Sequence, residues 1–223
     1  MSYQLIIFDL DGTLYDLKAV HEANYTLQAR FLQQQLGVSN SDAISILETN
    51  CIYPVISDHS KSATELFARL GLNMNEWRNY REANFDVTKI DKSTAVSNST
   101  IKKFAELCPL VLLSSNSYKN IIKILDYLEI DNKLFRAIYC SDNNSLEESF
   151  NKKKAIQIIA RGYAVQYCKV LSIGDRYQTD VLPMLELGGR GVVVTSPESL
   201  HLIVGDIKNN RLETKKQYAY YSE

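Results

Sequence analysis

Four apolar residues, Leu5-Ile6-Ile7-Phe8, run into Asp9-Leu10-Asp11 and then turn at Gly12-Thr13. A short apolar run bounded by a turn reads as a strand buried on both faces, the kind found in parallel sheets covered by helices. Strand alternation places Asp9 and Asp11 on one face. Two close carboxylates repel, and both charges become tolerable when a divalent cation lies between them. A carboxylate pair ending a buried strand therefore points to a hard-metal site, and Mg²⁺ is usually held by one or two carboxylates plus substrate phosphate. Alone, the stretch would also fit a strand followed by a polar Asp-Gly turn. Three stretches downstream share its chemistry.

Residues 16–92 hold no convincing strand. Asp16 is placed to cap a helix through Val20, Ala23, Leu27 and Phe31 that ends near Gly37, and further helices are expected over 41–49, 62–70 and 75–84. Beyond this all-helical insert, helices over 97–107, 120–128 and 152–161 alternate with apolar strands over 109–114, 137–140, 169–173 and 191–194. That alternation predicts an α/β fold: a Rossmann-like parallel sheet core from residues 1–15 and 93–223, with an inserted α-helical cap domain from 16–92. The polar, tyrosine-rich segment 208–223 is a loose tail or a late-docking element.

The formal net charge is −1, which provides no broad attraction for nucleic acid or anionic membrane, so neither is an expected partner. No apolar run approaches a membrane span, and the start lacks the basic region and long apolar core of a signal peptide. Cys51, Cys108, Cys140 and Cys168 are widely spaced, with no metal-ligand or disulfide pattern. They read as buried thiols of an intracellular protein, and a cytoplasmic location is expected.

Asp9-Leu10-Asp11-Gly12-Thr13-Leu14-Tyr15 resembles the first signature of the haloacid dehalogenase (HAD) superfamily, most of whose members are Mg²⁺-dependent phosphatases. The resemblance covers nearly the whole chain, including a helical cap inserted after the first strand. Leu112-Leu113-Ser114-Ser115-Asn116 is similar to the second signature, with Ser115 the better match to the phosphate-binding hydroxyl, Ser114 the runner-up, and Asn116 beside it. Lys152-Lys153-Lys154 opens a helix where the family places its phosphate-binding cation. The family's common Lys-Pro is absent, and Lys152 has the fitting spacing with Lys153 and Lys154 open. Gly174-Asp175-Arg176-Tyr177-Gln178-Thr179-Asp180 resembles the acidic fourth signature.

The resemblance implies that Asp9 attacks phosphorus to form an aspartyl-phosphate, while Asp11 serves as general acid and then general base. It implies a metal site from Asp9, Asp11 (through its backbone carbonyl) and Asp175. Asp180 would bind metal directly, through water, or orient the loop. A dehalogenase has no leaving oxygen to protonate and lacks the second acid, so Asp11 disfavours carbon–halogen cleavage. The expected substrate is a small phosphorylated metabolite such as a nucleotide, sugar or polyol phosphate, and the expected state a monomer or homodimer. A phosphomutase and a non-catalytic binding protein on the same scaffold are the alternatives. His21, His59, His201, Trp77, Phe31 and Arg176 stand out less, with core packing the expected use of the aromatics.

Overall fold

The computed structural model describes residues 2–50, 63–143, 150–212 and 219–220. Six parallel strands form one sheet in the order β3-β2-β1-β4-β5-β6. They are β1 (Leu5–Phe8), β2 (Leu110–Leu113), β3 (Ala137–Tyr139), β4 (Val170–Gly174), β5 (Arg190–Val194) and β6 (Ala219–Tyr220). Every residue of β1, β2 and β4 is buried, which explains why these central strands are not alternately polar.

Alternate residues serve different layers. Ile6, Phe8, Leu112 and Ile173 face a core completed by α5 (Asn98–Ala105), α6 (Tyr118–Tyr127) and α9 (Leu200–Lys208). There Phe8 meets Phe104 edge to face, with ring centres 5.1 Å apart. Leu5, Ile7, Val111 and Val170 face the other way, onto α7 (Lys152–Gly162) and Met184 of α8 (Leu182–Glu186).

Register sets where the chemistry emerges. Phe8 pairs with Leu112 on one side and Ile173 on the other, so β1, β2 and β4 end at one edge. The Asp9 amide extends the ladder, donating to the Ile173 carbonyl at 2.9 Å. The strand order reverses between β1 and β4, the place where open α/β sheets bind ligands.

Between β1 and β2 come the helices α1 (Lys18–Leu36), α2 (Asn40–Thr49), α3 (Ala63–Arg69) and α4 (Met74–Asn84). They share a core of their own, in which the Phe31 and Phe67 ring centres lie 5.0 and 4.9 Å from that of Trp77. Phe31 and Trp77 thus pack in a core, the use expected of these aromatics. Glycine ends α1 as expected: Gly37 adopts φ 67° and returns its amide to Gln33. The helix begins at Lys18, two residues after its anticipated cap, but Asp16 still accepts the Lys18 amide at 2.8 Å.

Two expectations are refined by the structure. The terminal segment adds a short strand, β6, parallel to β5; residues 213–218 and 221–223 lie outside the described residues. Cys108 and Cys140 are buried thiols, but Cys168 is exposed, because it lies on the turn before β4 enters the sheet. Cys51 and His59 lie outside the described residues.

Candidate active site

The opening motif turns sharply after β1. Gly12 takes φ 81°, a left-handed conformation that favours glycine, and a Cβ there would run into the Asp175 carboxylate. Gly174 is equally constrained, since a Cβ would meet the side chain of Asp180. Each glycine therefore lets a strand end approach a carboxylate closely. The segment after β4 closes on itself: the Arg176 amide donates to Asp180 Oδ2 at 2.9 Å, and the Ser172 hydroxyl donates to the Asp180 carbonyl at 2.7 Å. Residues Tyr177–Val181 form a π-helical turn, a wide turn frequent at functional sites.

These turns bring Asp9, Asp175 and Asp180 together, with one carboxylate oxygen of each within 4.8 Å of the others. Lys152, at the first position of α7, reaches across the strand ends and lies 2.5 Å from Asp9 Oδ1 and 2.5 Å from Asp180 Oδ1. Of the other two lysines, Lys153 borders the cleft but pairs with Glu186 at 2.7 Å, and Lys154 is exposed.

The Asp9 carboxyl is pushed up to about 7, chiefly by burial, with Lys152 lowering it and the charges of Asp180 and Asp11 raising it. Burial, then Asp9 and Asp180, likewise hold Asp175 well above the usual carboxylate range. Burial alone would lower the Lys152 ammonium, but Asp180 and Asp9 outweigh it and the net shift is upward. The site therefore holds more acid than its one ammonium can balance. Its donors are all hard oxygens, and Asp175 Oδ1 is buried with no hydrogen-bond partner. The residues present fit a hard divalent cation.

Asp11 stands apart from this group. The Tyr15 hydroxyl donates to its Oδ1, and the Asn116 side-chain amide donates to its Oδ2 at 2.5 Å. Tyr15 is wholly buried, and burial together with the Asp11 charge raises its hydroxyl pKa well above the usual value. Asn116 is pinned through its carbonyl, which accepts from the Ser141 amide and hydroxyl at 3.1 and 3.0 Å. Ser114 is fully buried and accepts the Asn116 amide at 3.2 Å, a turn-forming role. Ser115 is exposed and lines the cleft above the acids. The geometry thus separates the two serines.

A cleft of about 730 Å³ covers this edge of the sheet, a volume usual for small-molecule sites. Asp9, Asp11, Ser115, Lys152, Asp175 and Asp180 line one side. Side chains of α1, α3 and α4, among them His21, Gln28, Trp77 and Arg81, line the other.

The amino-acid pattern of residues 3–188 matches the haloacid dehalogenase-like hydrolase family. The chain belongs to that family. No curated protein matches this HAD-like hydrolase by sequence. Among solved structures it is similar to a HAD phosphatase from Thermococcus onnurineus, with a TM-score of 0.60, 14% identity, and coverage of 91% of this chain and 98% of that one. A haloacid dehalogenase-like hydrolase from Streptococcus pneumoniae follows at TM-score 0.58 and 18% identity, covering 98% and 94%. A 2-haloacid dehalogenase from Pseudomonas syringae reaches TM-score 0.54 at 14% identity, covering 91% and 98%. At these identities the likeness shows a shared fold, and the chemistry has to be argued from this chain's side chains.

The structure brings Asp9, Asp11, Ser115, Asn116, Lys152, Asp175 and Asp180 to one edge. His21 and Arg176 also reach the cleft, whereas His201 lies at the surface with its Nδ1 against the Glu198 carbonyl. Tyr15 and Arg81 escape motif reading. Tyr15 carries a signal in its four-residue spacing from Asp11 across a glycine turn, where the two form a β-bridge. Arg81 carries none, because its place depends on how α4 packs. Among the described residues no helix is long and apolar enough to cross a membrane.

Proposed function

We propose that this HAD-like hydrolase is a Mg²⁺-dependent phosphatase that cleaves a small phosphomonoester through an aspartyl-phosphate on Asp9. The observation that carries this reading is the division of labour among the acids. Asp9, Asp175 and Asp180 converge around Lys152, while Asp11 is held separately by Tyr15 and Asn116. A nucleophile and a proton carrier must be distinct groups facing the same phosphorus, and this arrangement supplies both.

An Asp9 oxygen attacks phosphorus, and the bond to the ester oxygen breaks as Asp11 delivers a proton to it. Asp11, now a carboxylate able to accept from Tyr15 and Asn116, takes a proton from the water that attacks the aspartyl-phosphate. Inorganic phosphate leaves and Asp9 is restored. Lys152 and Ser115 hold the phosphoryl oxygens, where charge stabilisation matters most in phosphoryl transfer. Mg²⁺ held by Asp9, Asp175 and Asp180, with the Asp11 carbonyl, would offset the negative charge of the phosphoryl group and the acids. Residues 16–92 act as the cap domain that encloses the leaving group and excludes bulk water.

The test is phosphate release from a panel of small phosphomonoesters with Mg²⁺, with Asp9→Asn run beside the parent. Turnover by the parent and a loss of at least about 10⁴-fold in Asp9→Asn is the expected result. Equal release by both proteins would overturn the mechanism. Phosphate moved within a sugar would identify a mutase, and folded protein that binds Mg²⁺ but turns over no ester would identify a binder.

A further inference from the structure

The cations around the cleft differ in what neutralises them. Lys152 is held by Asp9 and Asp180 and Lys153 pairs with Glu186, while Arg69 is exposed to solvent and donates to the uncharged Asn50 Oδ1 at 3.0 Å. Arg176 acts on Asp175, whose ionisation its charge favours. Arg81 is different. It is half-buried in the last turn of α4, one turn after Trp77, and both side chains line the cleft. Its guanidinium carbon lies 5.7 Å from the centre of the Phe85 ring, a cation–π contact that supports the group without cancelling its charge. Among the described residues no carboxylate lies within ion-pair distance of it. Its neighbour Glu82 turns instead to Lys119 at 2.6 Å.

Two observations locate the guanidinium near the reacting end of the cleft. Arg81 borders a void of about 20 Å³ together with Ser115. Its charge also acts on the Tyr15 hydroxyl that binds Asp11. A half-buried cation on an aromatic support is costly to leave without a counter-ion, and a ligand anion would provide one. On the same side of the cleft α1 presents His21, Asn24 and Gln28 along one face, groups suited to uncharged polar atoms.

We propose that Arg81 receives a second anionic group on the substrate, so that the leaving group of the ester carries a carboxylate or a further phosphate. A planar guanidinium binds either anion through paired hydrogen bonds. Where turnover is concerned the inference rests on the phosphatase reading; the binding contact does not.

The experiment uses three phosphomonoesters on one carbon skeleton, ending in a carboxylate, a second phosphate or a neutral amide. The parent is expected to prefer one or both anionic esters over the amide by about 10–100-fold in kcat/KM, the range of a charge-assisted contact. The larger preference names the anion. In Arg81→Gln the ratio should collapse towards one, and Arg81→Lys should restore part of it. A parent that treats the amide as well as the anions would overturn the proposal. So would an Arg81→Gln protein that slows equally on all three esters, which would place Arg81 on the transferred phosphoryl group. A second arm measures calorimetric binding of the same esters to Asp9→Asn, with and without Arg81→Gln. If the parent hydrolyses nothing, the phosphatase reading fails, yet tighter binding of an anionic ester that depends on Arg81 sustains this inference. Equal binding of all three overturns it. Should Arg81→Gln fail to fold by thermal unfolding, the parent's preference and Arg81→Lys decide.

Discussion

The polar groups of the cleft are held in two ways: at the carboxyl edge of the sheet, Asp9, Ser115 and Asp175 leave the backbone within a residue or two of a buried strand. Across the cleft they stand on the faces of α1, α3 and α4. Asp9 follows the last residue of β1 and donates its amide to the Ile173 carbonyl, and Asp175 follows Gly174, which pairs with Val193 of β5, so the sheet ladder positions both. His21, Gln28 and Arg81 are longer side chains on helices that share a separate core. The first arrangement suits chemistry, which tolerates little misplacement. The second suits recognition, because a helix face can be altered without moving the acids.

Lys152→Met would leave buried carboxylates without their cation and is expected to cost about 3–5 kcal/mol of stability in metal-free protein. Turnover should fall by about 10²–10³-fold, as for removal of one charge-stabilising donor. Urea unfolding and steady-state kinetics measure the two effects. A variant as active as the parent would remove Lys152 from the site.

Phe67→Ala tests the other region. Phe67 is fully buried in the helical core, and its truncation should cost about 3–5 kcal/mol of local packing. Mg²⁺ affinity at the strand ends should persist, as judged by calorimetry below the unfolding temperature. Loss of Mg²⁺ binding in this variant would mean the two regions are one unit.

Gly12→Ala is a smaller perturbation at the strand edge. The backbone at φ 81° and the crowding against Asp175 should together cost about 1–3 kcal/mol. Activity should drop more than stability, because the displaced group is a site carboxylate. A fully active Gly12→Ala would show that Asp175 has room to move.

The mildest effect expected is on pH. The folded protein keeps a proton on Asp9 up to about pH 7 that the unfolded chain, with a value of 3.8, has already released. The folded state therefore binds more protons in that window, and metal-free stability declines as pH rises through it. Mg²⁺ has to displace the same proton, so its stabilising shift in Tm should be larger at pH 8 than at pH 5. An equal shift at both would exclude Asp9 as a ligand.

The same contrast explains what the amino-acid order reveals. The parallel sheet and the acids Asp9, Asp11, Asp175 and Asp180 are legible because Asp9 and Asp175 each stand where an apolar strand ends, with Asp11 two residues and Asp180 five residues beyond them, so local pattern and site coincide. Lys152 is legible only to within its lysine run, since one turn of helix decides which ammonium points at the acids. Ser115 is the better match from its place beside Asn116, but the burial of Ser114 and the exposure of Ser115 show only once β2 is seen to end at Leu113. Tyr15 reads as core until its hydroxyl is found on Asp11. Arg81 and the α1 face depend on packing between segments far apart in the chain, and β6 is too short to leave a pattern.

The most direct test of the account is intact-mass analysis of protein quenched in acid during turnover of a hydrolysed phosphomonoester with Mg²⁺, followed by peptide mapping. A single added phosphoryl group on the peptide containing Asp9, absent from Asp9→Asn, is the predicted result. Phosphate release with the phosphoryl group on another residue, or an adduct that persists in Asp9→Asn, would contradict it.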